Sequence, residues 1–303
     1  MDIVENRKKH MGMKKKNAIM NTIIYIVLIS MSIFWLIPFV FILLESFRVE
    51  SAAPVGYVIP LDWGFDNYIA LFKHEYFMKW YLNTLIIASV ESVVQTIVVL
   101  CVSFTLSRIQ FKGRKLLMNI CLILGMFPGF LTLIVLYEIL NGMGLTGPHA
   151  VPGLILVGVA GSGMGYYITK GYFDTIPLSL DEAAKVDGAT KFQVFFKVIL
   201  PLSKPIVIYA MLTAFLAPWG DFMFASYVAR DARAGYNVAV GLQLFMQDGL
   251  RGTHYTLFCA GGVLVALPVT ILFMFLQKYY VEGVTGGAVK GWFHGNCKIN
   301  KCQ

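Results

Sequence analysis

The chain has 303 residues, of which 57% are hydrophobic and only 14% charged, with a formal net charge of +8 and a mean hydropathy of +0.69. A soluble domain carries about 25% charged residues, and disordered chains are apolar-poor and charge-rich. Composition therefore excludes both a water-soluble globule and a disordered chain, and leaves a polytopic membrane protein.

In chain order, residues 1–22 form a basic arm, and the first apolar stretch covers 23–44. Further stretches follow at 82–106, 116–137, 151–169, 206–228 and 257–277, none containing Lys or Arg. A helix needs about 20 residues to cross a hydrocarbon core, so the pattern predicts an all-α bundle of six transmembrane helices. The first stretch runs 22 residues, longer than the roughly 7–15 of a signal h-region, and reads as an uncleaved anchor. Of the 25 Lys and Arg residues, 19 lie in the N-terminal arm, the second and fourth loops and the tail, against 6 in the other loops. By the positive-inside rule that asymmetry predicts both termini in the cytoplasm. The basic charge is thus a topology signal and gives no footprint for nucleic acid. The predicted organisation is an arm (1–22), a first span with its external loop (23–81), a transmembrane core (82–281) and a cytoplasmic tail (282–303).

Soluble-enzyme motifs are missing from the sequence. It has no G-x-x-x-x-G-K-[ST] loop for ATP and no H-E-x-x-H helix. His294, Cys297 and Cys302 in the tail have neither the spacing nor the count of a closed zinc site, so neither metal nor cofactor is expected. Pro128, Pro218 and Pro268 fall inside spans three, five and six and predict kinks. Two carboxylates, Glu91 and Asp221, lie within spans two and five. An acid in a membrane is costly enough to be a candidate for the transport pathway, although a hydrogen bond to a neighbouring helix would also account for it. The aromatic run from Tyr68 to Tyr81 reads as an interfacial belt.

The loop at 170–205 is the most informative segment. Ser179 and Glu182 have the spacing of a capping box, with Leu180, Ala183, Ala184 and Asp187 sharing a face behind them. Gly188 suits a left-handed stop, and Thr190 can cap a second helix carrying Phe192, Phe195, Phe196 and Ile199 as an apolar stripe. Pro201 and Pro205 end it. Such a helix–glycine–helix knob suits docking to a partner, and a helix lying against the bundle or the lipid surface would show the same pattern.

Glu182, Ala183, Ala184, Asp187, Gly188 and Ala189, followed by Phe195 and Leu200-Pro201, closely resemble the EAA loop of binding-protein-dependent ABC importer permeases. Asn83-Thr84, the segment from Tyr236 to Gln243, and the glycine-rich run from Gly283 to Gly291 are similar to the carbohydrate branch, more narrowly to the second permease subunit of maltose/maltodextrin-type systems. The resemblance covers roughly residues 20–291. It implies a cell-membrane permease without catalytic activity that pairs with a second permease, a dimeric cytoplasmic ABC ATPase and an extracytoplasmic sugar-binding protein. It also implies an oligosaccharide substrate, with another sugar or a polyol phosphate as the alternative. By the same resemblance the loop at 170–205 docks the ATPase, while Gly241, Leu242 and Gln243 touch the binding protein. A one-chain secondary carrier is the rival from another class; two intramembrane acids and no intramembrane histidine argue against it. Residues 292–303 extend past the usual family end.

Overall fold

A computed structural model describes residues 2–49, 57–126, 129–246 and 254–285. Pro128, much of the external loop after residue 246, and the tail from 286 onward, with its glycine-rich run and His294, Cys297 and Cys302, lie outside them. In chain order the helices are α1 (Asp2–Ser46), α2 (Asp66–Lys73), α3 (Phe77–Arg108), α4 (Arg114–Gly125), α5 (Gly129–Gly142), α6 (Ala150–Ala160), α7 (Gly163–Asp174) and α8 (Leu178–Val186). After these come α9 (Lys191–Val194), a π-turn over Phe195–Ile199, α10 (Leu200–Leu202), α11 (Lys204–Gly220), α12 (Met223–Ala229), α13 (Val238–Leu244) and α14 (Tyr255–Thr285). The described residues form helices and their connections, with a single isolated β-bridge between Arg48 and Trp63.

Among the described residues, four helical stretches are long and apolar enough to cross a membrane: Ala18–Ser46, Phe77–Arg108, Gly147–Asp174 and Tyr255–Lys278. A fifth results if the pair Lys191–Leu202 and Lys204–Gly220, bent by 83°, counts as one span. All six predicted stretches are helical, yet they are not six continuous rods. The fourth is divided between α6 and α7, and the fifth between α11 and α12. At the second break Asp221 is extended, with ψ 90°, after Pro218-Trp219-Gly220. Its carboxylate accepts the backbone N–H of Phe224 at 3.2 Å and so starts α12. Non-helical backbone inside an apolar span is tolerated where protein or a cavity satisfies it, and both conditions hold here.

α3 is the central helix, packed against α6, α7 and α11. α11 also packs on α14, and α14 on α1. Two buried clusters cap the ends of α3. At its start Phe77, Trp80 and Ile87 pack with Val238, Leu242 and Phe245, so two rings of the predicted interfacial belt are core residues. At its end Leu100 and Phe104 pack with Phe173, Val194, Phe195, Ile199 and Ile206.

The first cluster is sewn together by polar groups on α3 that reach the connection after α12. Trp80 Nε1 donates to the Arg233 carbonyl at 2.7 Å, and Asn83 Nδ2 donates to the carbonyls of Ala234 and Tyr236 at 3.1 and 2.8 Å. The Val238 N–H donates to Thr84 Oγ1 at 2.8 Å. His74 sits between Trp80 and Phe245. Burial first, then the Arg233 guanidinium, holds its pKa below the ordinary histidine value, so the ring is neutral at neutral pH.

Gly241 lies so close to Trp80 that a Cβ would overlap the indole ring. Replacing it with alanine should therefore overpack the junction and cost about 1–3 kcal/mol. A lower midpoint for thermal unfolding of the Gly241→Ala protein in detergent is the expected result, and an unchanged midpoint contradicts this packing.

Candidate functional site

The knob between α7 and α11 is built from its ends inward. α8 begins after Pro177, with no side-chain cap. Ser179 is already inside the helix, where a residue cannot adopt the non-helical N-cap conformation, so the predicted capping box with Glu182 does not form. α8 ends at Gly188, whose φ of +83° is left-handed. The Gly188 N–H donates to the Lys185 carbonyl at 3.0 Å and the Ala189 N–H to the Ala184 carbonyl at 2.9 Å, a Schellman stop that needs a residue free of Cβ strain. The capping box belongs to the second helix: Thr190 Oγ1 accepts from the Gln193 N–H, and Gln193 Oε1 accepts from the Thr190 N–H.

The apolar stripe divides at the π-turn. Phe195 and Ile199 are buried in the second cluster, whereas Phe192 and Phe196 are exposed and lie 4.4 Å apart, ring to ring. Glu182, Ala183, Asp187, Gly188 and Pro201 are exposed, and Ala184 and Ala189 are half-buried against the cluster. Val186, 88% exposed, stands at the tip. The knob thus has an inner face that grips α3 and α7, and an outer face of small, acidic and aromatic side chains without a covering element.

The grip depends on a residue that sequence reading passed over. Asp181, 4% exposed, sits in the first turn of α8, 3.3 Å from Nε of Arg108, the last residue of α3. Arg108 Nη2 also donates to the carbonyls of Phe173 and Ile176 at 3.0 and 2.9 Å. One guanidinium therefore ties three segments together: the end of α3, the end of α7 and the start of α8. An Arg is suited to this because its planar fork can serve carbonyls and a carboxylate at once.

The two intramembrane acids, 130 positions apart in the sequence, line one cavity of about 180 Å³ together with Ile87, Leu154, Val157, Gly158, Ala217, Pro218, Phe224 and Asn237. A Cβ on Gly158 would overlap the Glu91 carboxyl, so this glycine makes the space that Glu91 occupies. Asn237 also escaped the sequence reading. Its Nδ2 donates to the Asp221 and Pro218 carbonyls at 2.6 and 3.3 Å, while its Oδ1 accepts the Val240 N–H at 2.9 Å and caps α13. The broken span and the connection after it are thereby joined.

Of the three residues expected at the binding protein, Gly241 and Leu242 are buried in the first cluster and Gln243 is half-exposed. Among the described residues no group of three His, Cys, Asp or Glu side chains is placed to hold a metal.

Residues 98–286 match the family of binding-protein-dependent transport system inner membrane components. The chain is 36% identical over 280 residues to the maltodextrin transport system permease protein MalD of Streptococcus pneumoniae, covering 92% of this chain and 99% of that one. It is 35% identical to the galactooligosaccharides transport system permease protein GanQ of Bacillus subtilis, over 92% and 99% of the two chains. Against the maltose/maltodextrin permease MalG of Escherichia coli K12 it is 35% identical over 71% and 73%. Its fold is that of a chain in the crystal structure of a bacterial ABC transporter involved in alginate import, with a TM-score of 0.74 at 23% identity, covering 88% and 98%. The chain belongs to the binding-protein-dependent transport system inner membrane component family, as a multi-pass membrane protein with no catalytic activity of its own.

Removing Asp181 should leave the Arg108 charge buried without its counter-ion, at a cost of about 3–5 kcal/mol. Asp181→Ala is expected to free the knob, read as faster proteolytic cleavage within 178–202, and the paired change Arg108→Met with Asp181→Leu should restore protection. Equal cleavage in all three proteins contradicts the anchoring role.

Proposed function

We propose, on the premise of this family membership, that the chain is one of two membrane-spanning subunits of an ATP-driven importer for an oligosaccharide of the maltodextrin type. The curated relatives support the substrate class, since two of the three described above are named for maltodextrin and the third for galactooligosaccharides. ATP would be hydrolysed by a separate dimeric ATPase, sugar delivered by an external binding protein, and the other half of the pathway supplied by a second permease. In this reading 1–22 and 282–303 lie in the cytoplasm with the knob at 170–205, the orientation that the 19-to-6 division of basic residues favours. Residues 82–281 form the transmembrane core that carries the pathway.

The observation that carries the proposal is the two-faced knob. Its inner face is locked to α3 by Arg108, Asp181 and the cluster around Phe195, so a push on its outer face is transmitted to the central helix. Glu182, Ala183, Asp187, Val186 and the Phe192–Phe196 pair are the surface an ATPase cleft would receive. Ala184, Ala189 and Phe195 hold that surface in place, Gly188 sets the angle between its two helices, and Pro201 closes it. Coupling of this kind requires contacts that differ between two states of the partner, and a rigid knob meets that requirement. At the opposite end, Gly241, Leu242 and Gln243 form the segment that would meet the binding protein, with Gln243 half-exposed at its surface.

Gly188→Leu places a branched side chain in the left-handed conformation. It should lower sugar uptake and sugar-stimulated ATP hydrolysis by at least about fivefold, while membrane insertion, followed by accessibility of tags at the two termini, stays normal. Gly188→Asn, which tolerates this conformation, should retain most activity. Full uptake by Gly188→Leu would remove the coupling assignment.

A further inference from the structure

The cavity around Glu91 has a feature that sugar transport leaves unexplained. Glu91 is only 6% exposed, and its carboxylate meets no hydrogen-bond donor among the described residues. The other acid lining the cavity, Asp221, faces it from the broken span, and no Lys, Arg or His contributes to the wall. Two carboxylates lining one cavity repel each other, and only Asp221 has a donor, the Phe224 N–H. The nearest side-chain donor in the wall, Asn237 Nδ2, is committed to the Asp221 and Pro218 carbonyls.

The wall is instead rich in acceptors. Ala217 and Pro218 belong to the last turn of α11, where main-chain carbonyls lack intrahelical donors and the helix dipole presents its negative end. Unwound carbonyls and half-helix C-termini of broken spans are suited to small cations. Size points the same way. At about 180 Å³ the cavity is smaller than the roughly 300–1,000 Å³ of ordinary ligand pockets, and it holds about six water volumes of ~30 Å³ each. Oxygen ligands alone favour a hard ion over a transition metal.

We propose that this cavity is a binding site for an alkali cation, held with some of its water between Glu91, Asp221 and the carbonyl end of α11. The bound ion neutralises the acid pair and fixes the break in the fifth apolar segment against α3 and α6. Gly158 is part of the site because it leaves room for the Glu91 carboxyl. The proposal stands on the cavity and does not depend on which sugar is carried.

The test uses the full chain co-purified with its partner subunits in lipid nanodiscs. Thermal unfolding is followed as NaCl or KCl replaces N-methylglucamine chloride at constant ionic strength, with sugar-stimulated ATPase recorded separately. The expected result is a saturable rise in the midpoint for the wild-type complex. In Glu91→Gln the half-saturating concentration should increase at least about tenfold, the loss of one charge-assisted ligand. Should that variant fail to assemble, Glu91→Ser carries the same comparison. No saturable response in the wild type, or an equal response in the variant, overturns the site. So does an infrared signature of a protonated Glu91 that persists at saturating Na⁺, because a proton would then occupy the cation's place. An importer that loses its cation response but keeps sugar-stimulated ATPase separates failure of this proposal from failure of the transport reading.

Discussion

Arg108 ends a 32-residue apolar helix, and its guanidinium is enclosed by Asp181 and by the carbonyls that close α7. A charge so placed is far costlier to leave alone than to pair, so the start of α8 has one acceptable position relative to α3. Everything outward of that point inherits the constraint. The Schellman stop at Gly188, the capping box at Thr190 and the return of Phe195 into the core hang the second half of the knob from the first. The buried pair adds register where a purely apolar contact between α3 and the knob would allow sliding.

A comparable logic holds the opposite end of α3. Trp80, Asn83 and Thr84 use their polar atoms on the connection after α12, and Asn237 then ties that connection to the break at Asp221. The central helix is thus fastened at both ends to elements from the later half of the chain. Between the fastenings lies the cavity of Glu91 and Asp221, at a place where α11 has stopped and α12 has not begun. A rigid helix attached at both ends, beside a broken one, offers a physical route by which force on the knob reaches the pathway.

Much of this was legible in the sequence because it rests on local chemistry. The apolar stretches gave the helices, Gly188 and Thr190 gave the turn and the second cap, and the cost of an intramembrane acid singled out Glu91 and Asp221. What was not legible depends on distant partners. Arg108 looked like one more basic residue of a loop, since nothing local tells that Asp181, 73 positions on, will reach it. The box at Ser179 was misread because spacing alone does not show that Pro177 lets the helix begin two residues earlier. The resemblance marks Gly241 and Leu242 for the binding protein, and only the distant Trp80 shows that Gly241 also packs tightly from beneath. Pro218 signalled a kink in the fifth span, but hydropathy does not register a main-chain break at Asp221 that the distant Asn237 satisfies.

The central claim is that the knob and α3 move as one body when nucleotide acts on the importer. It can be measured with spin labels at the native, exposed Cys101 on α3 and at Val186→Cys on the knob tip, the other cysteines being replaced by serine. Interlabel distances are compared in the assembled complex without nucleotide and trapped with ATP. The account predicts one narrow distance distribution, the same in both states, that broadens once Asp181 is replaced by alanine. A distance that changes between the two states while Asp181 is intact would mean that the knob swings on α3 instead of carrying it, and would contradict the account.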